Sequence, residues 1–282
     1  MPVPRRGADE PRKPRHGTSD LLARVVVAIP AIAFAVLIIW QGDWVFAAGI
    51  AALGVICVHE LTVMLRRARP VRLAAMLGVI GLTVAGTAGD ERQVLLALAA
   101  TIPLTFFLAI AAPNRERITA SMSATILIVA WIGLGVAHAA MLRGLDHGGA
   151  LVVLVLLGTF VGDTFAYFGG RAFGRHKLAP TISPNKTVEG LACGIVVGTL
   201  AVWYWAQTYS DDGWISGVDG LLLGLAIVIA APIGDLFESL IKRDMGTKDT
   251  GTLFGAHGGA LDRVDAALFA LVAGYYVWLL LA

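Results

Sequence analysis

Long apolar runs separated by short polar stretches fill the chain from about residue 21 to its end. Nine can be marked off, near 21–40, 44–65, 72–88, 93–112, 118–142, 149–168, 188–207, 217–241 and 262–282. Most approach the roughly 20 residues that a helix needs to cross a hydrocarbon layer about 30 Å thick. A helix also satisfies its own backbone hydrogen bonds, which lipid cannot do for it. The third run is short and rich in glycine. The pattern predicts an all-α protein, a polytopic transmembrane helical bundle of about nine spans, with no tandem repeat.

Composition supports that class. Hydrophobic residues make up 57% and charged residues 15% of the chain, against roughly 25% charged in soluble domains. The net charge of +2 says little, but the placement of charge is informative; no nucleic-acid partner is expected. With the N-terminus in the cytoplasm, every one of the 22 lysines and arginines except Arg92 and Arg143 falls on the cytoplasmic side. Such a bias sets membrane orientation, and a missing or extra helix would scramble it. Three regions follow: a basic, disordered cytoplasmic tail over 1–20, five spans over 21–142, and the chemically distinctive spans over 149–282 with two cytoplasmic loops. Cys57 and Cys193 lie far apart inside apolar runs and read as small buried hydrophobes, not a disulfide.

Candidate chemistry enters with acids in apolar surroundings. Asp163 lies about 18 Å into the sixth span, where a carboxylate costs ~2.5–3.5 kcal/mol on insertion scales. In the eighth span Pro232 and Gly234 are expected to interrupt the helix before Asp235, with Glu238 and Ser239 on the same face at i+3 and i+4. Asp262 and Asp265 open the ninth span, also on one face. Three spans thus carry carboxylates to one level in the cytoplasmic half. Hard oxygen donors of this kind suit Mg²⁺, which takes one or two carboxylates with water and substrate phosphate.

Cations and glycines surround those acids: Lys177, Lys186, Lys242, Arg243, Lys248 and Arg263, with Gly258 and Gly259 just before a helix start. Glycine lets backbone amides approach phosphate oxygens closely, and a helix N-terminus favours an anion. The combination points to magnesium and a polyphosphate. For each basic residue taken singly, retention of topology explains its presence equally well.

The run SLIKRDMGTKDTGTLFGAHGGALDRVD, from Ser239 to Asp265, resembles the phosphatidate cytidylyltransferase (CDP-diacylglycerol synthase) family. The matching elements are serine, Lys-Arg, Lys-Asp, His-Gly-Gly and Asp-Arg-x-Asp at the family's spacing. The stretches DTFAYFGGRAFGRHKLAP and SPNKTVEG resemble its other loop, with Asp163, Tyr167, Lys177, Ser183, Lys186 and Glu189 in place. The likeness covers roughly 150–282. Gly255 and Ala256 stand where the family has proline and glycine, and Ala260 where it has a larger aliphatic residue, which loosens the loop and leaves the polar set intact.

The resemblance implies transfer of a cytidylyl group from CTP to phosphatidic acid, giving CDP-diacylglycerol and pyrophosphate, with Mg²⁺ required and a second metal ion left open. It implies Asp235 and Asp262 as metal ligands, with Asp163, Glu238 and Asp249 beside them. Lys186, Lys242, Arg243, Lys248 and Arg263 are expected on phosphates, with Lys177, Ser183, Ser239, Gly258 and Gly259 also binding substrate. Asp235, Asp262, Lys242, Arg263 and His257 form the expected catalytic set, His257 serving either pyrophosphate or the loop. The resemblance further implies a homodimer in a bacterial plasma membrane, its site facing the cytoplasm. Two rival readings stand beside it: another CTP-using lipid enzyme such as a polyprenol kinase, and an ion-coupled transporter, since buried carboxylates and broken helices also mark transporters.

Overall fold

The computed structural model describes residues 18–111, 117–208, 213–251 and 258–282, with the backbone alone for 18–28 and 31. The expected tail and His257 lie outside the described residues, apart from the last residues of 1–20. The chain forms two units, Met1–Val36 and Leu37–Ala282. The first holds most of helix α1 (Thr18–Gln41), and the second holds everything after it.

The expected apolar runs are helices, close to their expected bounds. After α1 come α2 (Asp43–Met64), α3 (Arg72–Ala88) and α4 (Glu91–Ala111). The fifth run is α5 (Ile118–Ile128) and α6 (Leu134–Gly144), joined without a break by a π-helical turn at Val129–Gly133. Then follow α7 (Gly148–Phe173), α8 (Val188–Thr208), α9 (Gly217–Asp244) and α10 (Leu261–Leu281). Among the described residues seven helical stretches are long and apolar enough to cross a membrane, while α3 and the Ile32–Gln41 part of α1 are apolar but shorter.

Local chemistry explains several boundaries. A capping box opens α9: Ser216 Oγ accepts the Asp219 amide at 3.1 Å and Asp219 reaches back to the Ser216 amide, which satisfies two amides that have no partner in the first turn. The expected interruption at Pro232 is not found, because α9 continues through it to Asp244. Proline still removes one donor from the ladder, so the Val228 carbonyl lacks its helical partner. Both Pro232 and Val228 line a small cavity between α7, α8 and α9 that contains Asp163.

Helices α7 and α8 pack through small residues. A Cβ at Gly194 would stand 2.6 Å from the Gly162 carbonyl, and one at Gly190 would stand 2.5 Å from the Ala166 carbonyl. Backbone approach this close is the usual membrane alternative to hydrophobic driving force, which lipid abolishes. Elsewhere the interior is filled by Val58, Leu61, Val79, Leu82 and Ile132 on the α2–α3–α6 side and by Leu154, Leu223 and Ile227 on the α7–α9 side. Large apolar side chains such as Leu95, Phe107, Val196 and Leu280 point outward, as a lipid-facing surface requires.

The one departure from all-α structure among the described residues is a small antiparallel hairpin in the first expected cytoplasmic loop. Strand β1 (Lys177–Ala179) pairs with β2 (Ser183–Thr187), Lys177 opposite Thr187 and Ala179 opposite Ser183.

Candidate active site

The hairpin is held at three points. Glu189, in the first turn of α8, accepts the Arg175 and His176 amides at 3.0 and 3.2 Å, and His176 Nδ1 lies 2.6 Å from it. Arg243 Nε, near the end of α9, donates to the Ile182 carbonyl in the hairpin turn at 3.0 Å. From β2 itself, Lys186 Nζ reaches Asp235 Oδ2 at 2.6 Å.

That last contact defines the first of two adjoining polar groups. Asp235 projects from α9, and Ser239, one turn later, donates to its Oδ1 at 3.3 Å. Asp163 of α7 interacts electrostatically with both Lys186 and Asp235. One lysine on the hairpin is therefore paired with a carboxylate of α9 and within electrostatic reach of one on α7. The sequence places the two carboxylates at similar depth and expects Lys186 on phosphate; here its ammonium is paired with Asp235.

The second group centres on Lys242, one turn beyond Glu238. Its ammonium contacts Glu238 Oε2 and donates to Asp262 Oδ1 at 2.9 Å. Asp262 also accepts the Gly259 amide at 2.7 Å and the Thr250 amide at 3.1 Å, both on Oδ2. Glu238 is fully buried. Its neighbour is the Asp265 carboxyl, and Glu238 Oε1 is buried without a hydrogen-bond partner. Asp265 in turn interacts with Asp235, which links the two groups.

The remaining expected residues are placed less centrally. Lys177, Lys248 and Asp249 are exposed on the hairpin and on the loop after α9. Ser183 starts β2 and is half-buried. Arg263 is exposed. Gly258 has a φ of +80°, a left-handed conformation that glycine adopts without strain. The expectation that Gly259 offers its amide to phosphate is corrected in this state: that amide is taken by Asp262.

One further residue joins the site without any sign of it in the sequence motifs. Glu60 of α2 is 5% exposed, and its two oxygens accept the Ala260 and Leu261 amides at 3.0 and 2.9 Å. With Gly259 on Asp262, three successive amides at the start of α10, those of Gly259, Ala260 and Leu261, are held by carboxylates. The available signal is the one that marks Asp163, a carboxylate inside an apolar run.

Among the described residues no group of three or more His, Cys, Asp or Glu side chains converges to hold a metal ion. The donor set nevertheless suits a hard cation: Asp163, Asp235, Glu238, Asp262 and Asp265 outnumber Lys186 and Lys242, and one buried oxygen lacks any donor. Carboxyl oxygens are the donors that such a cation takes.

Comparison with known proteins agrees with the geometry. The family model described as the cytidylyltransferase family matches residues 22–281. Phosphatidate cytidylyltransferase of Mycobacterium bovis is 33% identical over 308 aligned residues, spanning 99% of this chain and 95% of the relative. The protein of that name from Mycobacterium tuberculosis is likewise 33% identical, over 99% of this chain and 89% of its own. That from Thermotoga maritima is 38% identical over 139 residues, 48% of this chain and 52% of its own. With a match over nearly its whole length, and with the polar groups of α7, α9 and α10 gathered at one place, the chain belongs to the cytidylyltransferase family.

Proposed function

We propose that this protein transfers the cytidylyl group of CTP to phosphatidic acid, forming CDP-diacylglycerol and pyrophosphate for phospholipid synthesis. The observation that carries the reading is the meeting of carboxylates from α7, α9 and α10 around Lys186 and Lys242.

In the reaction a phosphate oxygen of phosphatidic acid attacks the α-phosphorus of CTP. The new P–O bond forms there as the bond to the bridging oxygen of the β-phosphate breaks, and the electron pair departs with pyrophosphate. The nucleophile is already an anion, so no strong general base is needed. The site must hold two anions together and in line, which is a matter of positioning and fixed charge. Lys186 and Lys242 supply that charge, each steadied by carboxylates so that its ammonium is aimed before substrate arrives. Arg243, Lys248, Arg263 and Lys177, with the hydroxyls of Ser183 and Ser239, are the residues to contact phosphates. Asp163, Asp235, Glu238, Asp249 and Asp262 are the residues to hold Mg²⁺, which when bound neutralises phosphate oxygens and stabilises the leaving group.

The protein on this reading crosses the bacterial plasma membrane nine times, counting α1 and α3, with its N-terminus and its site on the cytoplasmic side, and works as a homodimer. Lipid phosphate then lies at the inner headgroup level while CTP arrives from the cytoplasm. The test is incubation of purified protein with phosphatidic acid, Mg²⁺ and each of the four nucleoside triphosphates. CTP alone is expected to release pyrophosphate and yield CDP-diacylglycerol, and Asp235→Asn is expected to abolish this while the protein stays folded. Full turnover by that variant would remove Asp235 from the site.

A further inference from the structure

Helix α10 begins without a cap of its own. Its N-cap position is Ala260, which has no side-chain acceptor, and no side-chain capping bond comes from that position. An uncapped helix start leaves amides without partners, and here they lie beside the Asp262 carboxylate. The need is met from the other half of the chain, where Glu60 of α2 takes the Ala260 amide on one oxygen and the Leu261 amide on the other.

The surrounding loop is shaped to that carboxylate. A Cβ on Gly251 would stand 2.5 Å from Glu60 Oε1, and one on Gly259 would collide with Glu60 Oε2 and approach Thr250 Oγ1 to 2.5 Å. Thr250, itself buried, passes its amide to Asp262. Glycines 251 and 259 therefore let the backbone close over Glu60, a reason for their presence independent of any phosphate.

We propose that Glu60 is a positioning residue for Asp262. By holding the first turn of α10 and the segment 258–261, it fixes the place of the Asp262 carboxylate, and through Asp262 that of the Lys242 ammonium. The inference rests on the reading that Asp262 and Lys242 serve the transfer. It gives the N-terminal spans, whose sequence carries none of the family's polar elements, a part in the active site.

The test is Glu60→Gln. Glutamine keeps the size and one acceptor, but its amide group faces the second backbone N–H donor to donor. Two measurements are made on the full-length protein in detergent. Hydrogen exchange is expected to quicken at least tenfold in the segment 258–262 and to stay unchanged in α3 and α4. The kcat for pyrophosphate release is expected to fall about 10–100-fold, with KM for phosphatidic acid within about twofold. Glu60→Asp, which restores the charge, is expected to recover a larger part of kcat than Glu60→Gln retains. Unchanged exchange in 258–262 would overturn the proposal, as would unchanged kcat in an active preparation. Faster exchange across the whole chain with a lowered unfolding midpoint would also overturn it, by showing a general structural role. Absence of pyrophosphate release by the unaltered protein would overturn the assigned reaction instead, and the exchange measurement would still decide whether Glu60 holds the segment.

Discussion

At the scale of single residues, the decisive fact is that Lys242 serves two carboxylates, one of them without exposure. Removing one partner of a buried ion pair costs roughly 3–5 kcal/mol, since the survivor keeps its desolvation penalty. Lys242→Met is therefore expected to lower the unfolding midpoint in detergent and to reduce turnover at least about 100-fold. Replacing Lys186 is expected to act differently. Its partner Asp235 is 29% exposed and water takes up part of the loss, so Lys186→Met should change stability by less than about 1 kcal/mol while still abolishing activity. Comparing unfolding midpoints of the two variants separates the roles; equal loss of stability would show that the groups are not differently buried. Asp163, Asp235, Glu238 and Asp262 are legible in the sequence because a carboxylate in an apolar run demands an explanation. Glu60 makes the same demand, but its partners lie 200 and 201 residues away, and no short-range pattern connects them. The same distance hides the purpose of Gly251 and Gly259, since the residue they enclose is far off in sequence and a phosphate cradle is the reading that local spacing offers.

At the scale of elements, the apolar runs predict the helices well because length and hydropathy are properties of a segment by itself. The hairpin is not legible in this way. Strands of three and five residues carry too little alternation to register, and an isolated two-stranded hairpin is marginal without outside support. Its support is side-chain contact with α8 and α9, which only the fold supplies. Arg243→Ala removes the bond to Ile182 together with a cation assigned to phosphate, and is expected to reduce kcat/KM for CTP about 10–100-fold, as loss of a charged hydrogen bond implies, with little change in stability; steady-state kinetics will show it. The continuity of α9 through Pro232 is equally hidden, because the effect of a proline on a helix depends on what its neighbours supply. The glycine face between α7 and α8 allows a paired prediction. Gly194→Leu meets a backbone carbonyl that cannot move aside, so the helices must separate, carrying Asp163 from Lys186; lost activity and a stability loss of about 1–3 kcal/mol are expected. A methyl group added at Gly81 of α3 would meet nothing within 4 Å, and Gly81→Ala is expected to leave activity intact and to raise stability by about 0.5–1 kcal/mol. Thermal unfolding of both variants checks the pair.

At the scale of the whole molecule, the proposed nine crossings from a cytoplasmic N-terminus would place the C-terminus outside. A reporter that works only beyond the plasma membrane is expected to be active when fused after Ala282 and silent when fused after Lys248, and the reverse result would invert the topology. The bond between Glu60 and the start of α10 bears also on how the protein is made. At roughly 5–20 residues per second of synthesis, about 10–40 s separate the emergence of α2 from that of its final partners. During that interval a glutamate sits in a newly inserted helix with its native hydrogen bonds still to come. A chain that ends before the last helix thus leaves the Glu60 carboxylate without the two amides that hold it in the finished fold.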